Sequence, residues 1–271
     1  MVSEADIAQN PPNASPRQAR PTSNNAKELA KEGKTNIFRA GIWKPRTRPN
    51  SFEGVGREGL SWLREVKRET GLPVATEVAN SAHVNDALKF GVDVLWLGAR
   101  TSANPFAVQE IADSLQGVEV TVLIKNPINP DLNLWIGSIE RIARAGVVNI
   151  AAIHRGFSTY EHTLYRNQPK WLVPIELKRA IPQLPILCDP SHMGGSKSLL
   201  HDISQKAMDL NYDGLMIESH IEPSKALSDK DQQLTPTELS ALLDKLVLRE
   251  PIATGLLHSN TLEELRSQID L

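Results

Sequence analysis

Lys44, Arg46 and Arg48 share one short run, Lys44-Pro45-Arg46-Thr47-Arg48-Pro49, and Arg39 stands just before it. Guanidinium groups present planar, permanently charged forks that match phosphate and carboxylate, and an ammonium adds a point charge. The two prolines stiffen the backbone, so such a cluster is organised before an anion arrives. For this run alone, a solvated basic loop or a nucleic-acid patch are the alternatives. Further along, Glu77, Arg100, Lys125, His154 with Arg155, Asp189 with His192, and Glu218 each close an apolar stretch, and Asp229 lies in a late loop. The early and middle members are mainly cations suited to phosphates. The later ones are His and carboxylates suited to a divalent metal. Each has a plainer use: His192 can cap the helix that follows Asp189-Pro190-Ser191, and strand-end Glu and Arg can simply pair. Lys125 has the right type for Schiff-base chemistry, but so many nearby arginines favour ion pairing with a substrate over covalent attachment. The chain contains no GxGxxG, and its single cysteine, Cys188, excludes an intrachain disulfide framework and has no cysteine partner for a zinc motif.

These groups act together only if the fold gathers them. Short apolar runs at 36–40, 73–78, 93–98, 118–125, 149–154, 184–189 and 213–218 read as strands, and helical periodicity falls at 56–70, 80–90, 105–116, 135–146, 172–181, 197–210 and 236–248. Strict alternation, with strands apolar on both faces, predicts a parallel sheet. Seven strands are one short of a closed ring. A helix-like piece at 26–33 should follow a strand of its own, placed at 8–15, where the residues make a poor strand. The expectation is an α/β protein, a parallel (β/α)8 TIM barrel with a degenerate or missing first strand, in preference to a doubly wound open sheet. A barrel would bring the carboxyl ends of all strands to one mouth. Residues 1–25 are expected to be irregular, 26–250 to form the barrel, and 251–271 to be a linker and a short helical stub.

Composition sets outer bounds. The 271 residues carry 30 basic and 32 acidic groups and 40% hydrophobic residues, enough for a large core and without a global field for nucleic acid or an anionic membrane. Neither a membrane span nor a leader is legible, so a cytoplasmic location is expected.

The segments Lys44-Pro45-Arg46-Thr47, Gly98-Ala99-Arg100-Thr101, Ile124-Lys125-Asn126, His154-Arg155-Gly156, Asp189-Pro190-Ser191-His192 and Glu222-Pro223-Ser224-Lys225-Ala226-Leu227-Ser228-Asp229 resemble, in order, the motifs of the 3-deoxy-D-arabino-heptulosonate 7-phosphate (DAHP) synthases. The resemblance runs from about residue 26 to 248. It implies condensation of phosphoenolpyruvate with erythrose 4-phosphate at the start of the shikimate pathway, in a homo-oligomeric enzyme. It further implies that Arg39, Lys44, Arg100, Lys125 and Arg155 hold phosphoenolpyruvate, that Arg46 and Thr47 take the sugar phosphate, and that Lys44 donates a proton. His192, Glu218 and Asp229 match metal ligands, with manganese, iron, zinc and cobalt all open. A sister family, the 3-deoxy-D-manno-octulosonate 8-phosphate synthases, lacks the Lys-Pro-Arg-Thr loop. The family's fourth ligand, a first-strand cysteine in Gly-Pro-Cys-Ser, has no counterpart; the interval from Lys44 lands on Ser15, a far weaker ligand than thiolate. A frameshifted reading of 8–25, divergence to a non-catalytic binding barrel, or metal held by three ligands and water would each account for this. Residues 262–271 resemble the opening of a C-terminal helical chorismate mutase domain, too short to carry mutase activity.

Overall fold

Parallel strands cannot be joined by tight hairpins, so a chain alternating short buried strands with amphipathic helices winds in one sense and can close on itself. The computed structural model describes residues 2–4, 20–44, 52–161 and 163–249. Its strands are β1 Val2–Glu4, β2 Ile37–Arg39, β3 Val74–Val78, β4 Val94–Leu97, β5 Thr121–Lys125, β6 Ile150–His154, β7 Ile186–Cys188 and β8 Gly214–Glu218. They form a closed parallel barrel in sequence order, with β1 pairing both β2 and β8. The helices are α1 Arg20–Glu32, α2 Glu58–Thr70, α3 Ser81–Lys89, α4 Ala99–Ser102, α5 Pro105–Ser114, α6 Leu132–Arg144, α7 Leu172–Ala180, α8 Pro190–Gly194, α9 Leu200–Asp209 and α10 Pro236–Asp244. No helix among the described residues is long and apolar enough to cross a membrane.

Local chemistry starts these helices close to the strand ends. Asn80, Asn104, Asp131 and Asp189 each accept a backbone N–H in the first turn of α3, α5, α6 and α8, and Thr235 with Glu238 forms a capping box on α10. Each helix then buries one stripe; α6 turns Trp135, Ser138, Ile139 and Ile142 inward at helical spacing. Two apolar layers result. Leu63, Leu95, Ile124, Ala152, Ile203 and Ile217 belong to the larger core, whereas Ala75, Val94, Trp96, Leu123, Ala151, Ile153 and Met216 form a separate, smaller cluster that fills the barrel interior.

The first strand lies at 2–4, ahead of the 8–15 expected for it, and residues 5–19 are outside the described set. Sheet hydrogen bonds come from the backbone, so three residues can close the ring, pairing Ser3 with Phe38 and Ile217, without an apolar run to betray them. The stretch expected to be irregular up to residue 25 also contains the first turns of α1, where Thr22, Ser23 and Asn25 are buried. Asn25 Nδ2 donates to the Ser219 carbonyl at 3.0 Å, so the helix is tied to the end of β8 by a polar contact that apolar periodicity does not reveal. Ser15, Arg46, Thr47 and 251–271 lie outside the described residues.

Candidate active site

Side chains alternate faces along a strand, so the interior residues fix which neighbours point into the barrel mouth. Two positions beyond Ile37, Ala75, Trp96, Leu123, Ile153, Leu187 and Met216 come Arg39, Glu77, Gly98, Lys125, Arg155, Asp189 and Glu218. The next layer above an apolar interior is therefore almost entirely charged. Arg39, Glu77, Gly98, Lys125, Arg155 and Glu218 line one open pocket with Lys44, Arg100, His192 and Asp229. The same parity removes His154 from the mouth, where it was expected beside Arg155. It is fully buried on the outer face, its Nε2 2.6 Å from the Pro169 carbonyl and its Nδ1 3.0 Å from the Tyr212 hydroxyl.

Burying charge is costly unless charges compensate one another. Lys125 Nζ lies 3.2 Å from Asp189 Oδ2, and Arg39 Nη2 lies 4.0 Å from the same oxygen while its guanidinium sits over the Trp96 ring at 5.0 Å. Burial opposes the Asp189 charge, but His192, Lys125 and Arg39 outweigh it and hold the carboxyl well below the usual range. Burial also lowers Lys125, a shift that Asp189 counters. Arg155 is lowered to about 10 by burial, against the pull of Asp189. Glu77 moves the other way: burial raises it despite Lys125, the Trp96 indole N–H at 3.1 Å and Arg39.

Gly98 makes room for this carboxyl. A Cβ there would stand 2.1 Å from Glu77 Oε1.

On the far side, His192 Nδ1 lies 2.8 and 3.0 Å from the two Asp189 oxygens. A proton shared on that edge leaves the Nε2 lone pair facing the pocket, 3.7 Å from Glu218 Oε1. Glu218 Oε2 accepts from Gln232 Nε2 at 2.6 Å, Gln232 Oε1 accepts from Arg166 Nη1 at 3.0 Å, and the same Nη1 donates to Asp229 Oδ1 at 2.6 Å. Burial raises Asp229, but Arg166 and His192 bring it down to about 2. An imidazole nitrogen, the ionised Asp229 carboxylate and the Glu218 carboxyl suit a divalent cation in kind. Their spacing provides a His192–Glu218 nucleus with Asp229 drawn toward Arg166; among the described residues no three His, Cys, Asp or Glu side chains already form an ion-holding group.

Arg166, Gln232, Asn126 and Asn167 carry roles that the sequence reading did not assign. Asn126 accepts from the Arg155 backbone N–H at 2.7 Å and donates to Gly156 O at 2.8 Å. Asn167 accepts from Arg155 Nη1 at 2.8 Å and donates to His192 O at 2.6 Å. These amides tie Arg155 to the backbone carbonyls of Gly156 and His192. Asn126 follows its strand directly and was within reach of a strand-end reading, whereas Arg166, Asn167 and Gln232 sit in irregular segments with no periodicity to mark them.

The fold and mouth define a parallel eight-stranded barrel whose carboxyl-end pocket gathers five cationic side chains beside a His–carboxylate cluster. Residues 14–250 match the DAHP synthetase I family, and the chain belongs to that family. It is 35% identical over 198 residues to a phospho-2-dehydro-3-deoxyheptonate aldolase of Thermotoga maritima, an alignment covering 73% of this chain and 56% of that relative. The chain thus spans little more than half the length of that protein. It is 29% identical to a 2-dehydro-3-deoxyphosphooctonate aldolase of Variovorax paradoxus over 80% of this chain and 79% of the relative. Among solved structures, the crystal structure of a T. maritima phospho-2-dehydro-3-deoxyheptonate aldolase (DAHP synthase) superposes with a TM-score of 0.76 at 28% identity, covering 90% of this chain and 67% of that one.

Proposed function

We propose that this chain condenses phosphoenolpyruvate with erythrose 4-phosphate and water, giving 3-deoxy-D-arabino-heptulosonate 7-phosphate and inorganic phosphate. The supporting observation is the single mouth in which Arg39, Lys44, Arg100, Lys125 and Arg155 stand opposite His192, Glu218 and Asp229. Two phosphorylated anions repel each other, and five cations at one opening offset that repulsion and align them. Arg100, Lys125 and Arg155, with Arg39, bind the phosphate and carboxylate of phosphoenolpyruvate, and Arg46 and Thr47 take the phosphate of the four-carbon sugar. A divalent cation held by His192, Glu218 and Asp229 would supply Lewis acidity toward the aldehyde oxygen. Lys44, whose Nζ donates to Ser228 Oγ at 2.8 Å, stands at the mouth to give a proton to the alkoxide formed when C3 of phosphoenolpyruvate bonds to the aldehyde carbon. Water adds at C2, and the C2–O bond to phosphate breaks.

Phosphate release with both substrates and manganese tests this reading directly. Turnover supports it. Ligand binding without turnover points instead to a barrel impaired by the lack of a first-strand cysteine, since the chain's single cysteine is Cys188. The match to octulosonate aldolases makes arabinose 5-phosphate the second substrate to test; preference for it over erythrose 4-phosphate would reassign the reaction.

A further inference from the structure

His154 and Arg155 are consecutive, and the strand turns them to opposite sides, the guanidinium to the pocket and the imidazole to the buried outer wall. There the imidazole is wedged among aromatic rings, its centroid 5.2 Å from Trp171, 5.8 Å from Phe157 and 6.0 Å from Tyr212. Its two nitrogens have unlike partners. A carbonyl can only accept, so Nε2 carries the proton and donates to Pro169 O at 2.6 Å. Burial keeps the ring neutral, so Nδ1 accepts from the Tyr212 hydroxyl at 3.0 Å.

Pro169 closes a short limb that runs back past the end of β6. Phe157 and Gln168 exchange both backbone hydrogen bonds, each at 2.8 Å. Gly156, at φ +76, lets the limb come close; a Cβ there would stand 2.7 Å from the Asn167 carbonyl oxygen. The buried Asn167 side chain accepts at Oδ1 from Arg155 Nη1 at 2.8 Å and from Ser158 Oγ at 3.3 Å, and its Nδ2 donates to His192 O at 2.6 Å. The Asn167 backbone N–H donates to Met193 O at 3.1 Å. Three consecutive residues are thus held from three sides: Asn167 by α8, Gln168 by Phe157 and Pro169 by His154.

We infer that His154 is a positioning residue for Arg155: by holding the Pro169 carbonyl it sets the limb from which the Asn167 amide orients the guanidinium in the pocket. His154 touches no substrate in this role. The inference rests on the proposed function, in which Arg155 binds phosphoenolpyruvate. It also separates the two ring nitrogens, since Nε2 holds the limb whereas Nδ1 serves the wall through Tyr212.

Glutamine carries its amide nitrogen about as far from the backbone as Nε2, whereas asparagine reaches only to the place of Nδ1. His154→Gln should therefore keep the Pro169 contact, and His154→Asn should lose it while retaining a partner for Tyr212. Calorimetric titration of the full chain with phosphoenolpyruvate, in buffer containing manganese, should show affinity within about twofold of wild type for His154→Gln and about tenfold weaker for His154→Asn, the scale of one hydrogen bond to a charged group. Tyr212→Phe disturbs the same aromatic nest without touching Pro169 and should stay within about twofold, as should the KM for erythrose 4-phosphate in all three variants. Tryptic cleavage after Arg166 reads the limb without any ligand, and it should quicken in His154→Asn alone. Equal losses of phosphoenolpyruvate affinity in the Gln and Asn variants, a loss in Tyr212→Phe as large as in His154→Asn, or an affinity indifferent to His154→Asn would each overturn the assignment. Should His154→Asn not fold, His154→Phe, which fills the nest but cannot donate, takes its place. A wild-type chain that binds no phosphoenolpyruvate would defeat the proposed function, and the cleavage rates would then decide the role of His154.

Discussion

Gln232 Nε2 donates to Glu218 Oε2 at 2.6 Å, and both side chains are buried, so an amide fixes the orientation of the carboxylate whose other oxygen faces His192. Partners of this kind tune a metal ligand without touching the metal. Gln232→Leu should weaken manganese binding about tenfold to a hundredfold, measured by calorimetric titration, with the far-ultraviolet dichroism of the barrel retained. Manganese affinity equal to wild type would show that Glu218 needs no such brace.

Gly98 and Glu77 form a second dependent pair. The backbone at Gly98, φ −69 and ψ 161, suits any residue, so its lack of a side chain is required by space alone. Gly98→Ala should displace the Glu77 carboxyl from Trp96 and cost about 1–3 kcal/mol, read as a lower urea midpoint with an unchanged slope. A variant as stable and active as wild type would mean that Glu77 moves aside freely.

Much of this architecture was open to sequence reading because a parallel barrel writes one rule into every unit. An apolar run, a charged residue at its end, then an amphipathic stretch recur, and the seven strands from 36–40 to 213–218 fall where that pattern puts them. Arg39, Arg100, Lys125, Arg155, His192, Glu218 and Asp229 do line one pocket. Two features escaped for physical reasons. Val2–Glu4 is held by backbone bonds and is too short to show alternation. His154 and Arg155 both end a strand in the text, but a one-residue step turns a side chain through the sheet, so one reaches the mouth and the other an aromatic nest of Trp135, Phe157, Trp171 and Tyr212. Gln232 and Arg166 were invisible for a third reason: irregular segments have no period from which to infer direction.

On the proposed function, variants of Arg100 and Lys125 should separate a contact at the rim of the pocket from one within it. Arg100 is exposed at the mouth, so Arg100→Ala should raise the KM for phosphoenolpyruvate about tenfold, the scale of one charge-assisted contact. Lys125 is buried against Asp189, and Lys125→Ala also strips that carboxylate of an ammonium partner, so kcat/KM should fall about a hundredfold or more. Steady-state kinetics with each substrate varied in turn checks both values. A defect confined to erythrose 4-phosphate would show that these cations serve the other anion.

His154 links the barrel wall to acid sensitivity. Burial holds its imidazole down to about 3 from an ordinary 6.5; the Pro169 carbonyl opposes this, and Arg155 adds to it. The unfolded chain therefore binds a proton through that interval while the folded chain does not. Stability is fully present above about pH 6.5 and falls by about 1.4 kcal/mol per unit as pH drops toward 3. His154→Gln keeps an amide N–H for Pro169 and an oxygen for the Tyr212 hydroxyl but cannot take up the proton. Urea unfolding across the interval should show the variant less stable than wild type at neutral pH and less steeply destabilised by acid. Parallel curves for the two proteins would mean that His154 takes up its proton without leaving its place between Pro169 and Tyr212, and that other groups govern the acid limb.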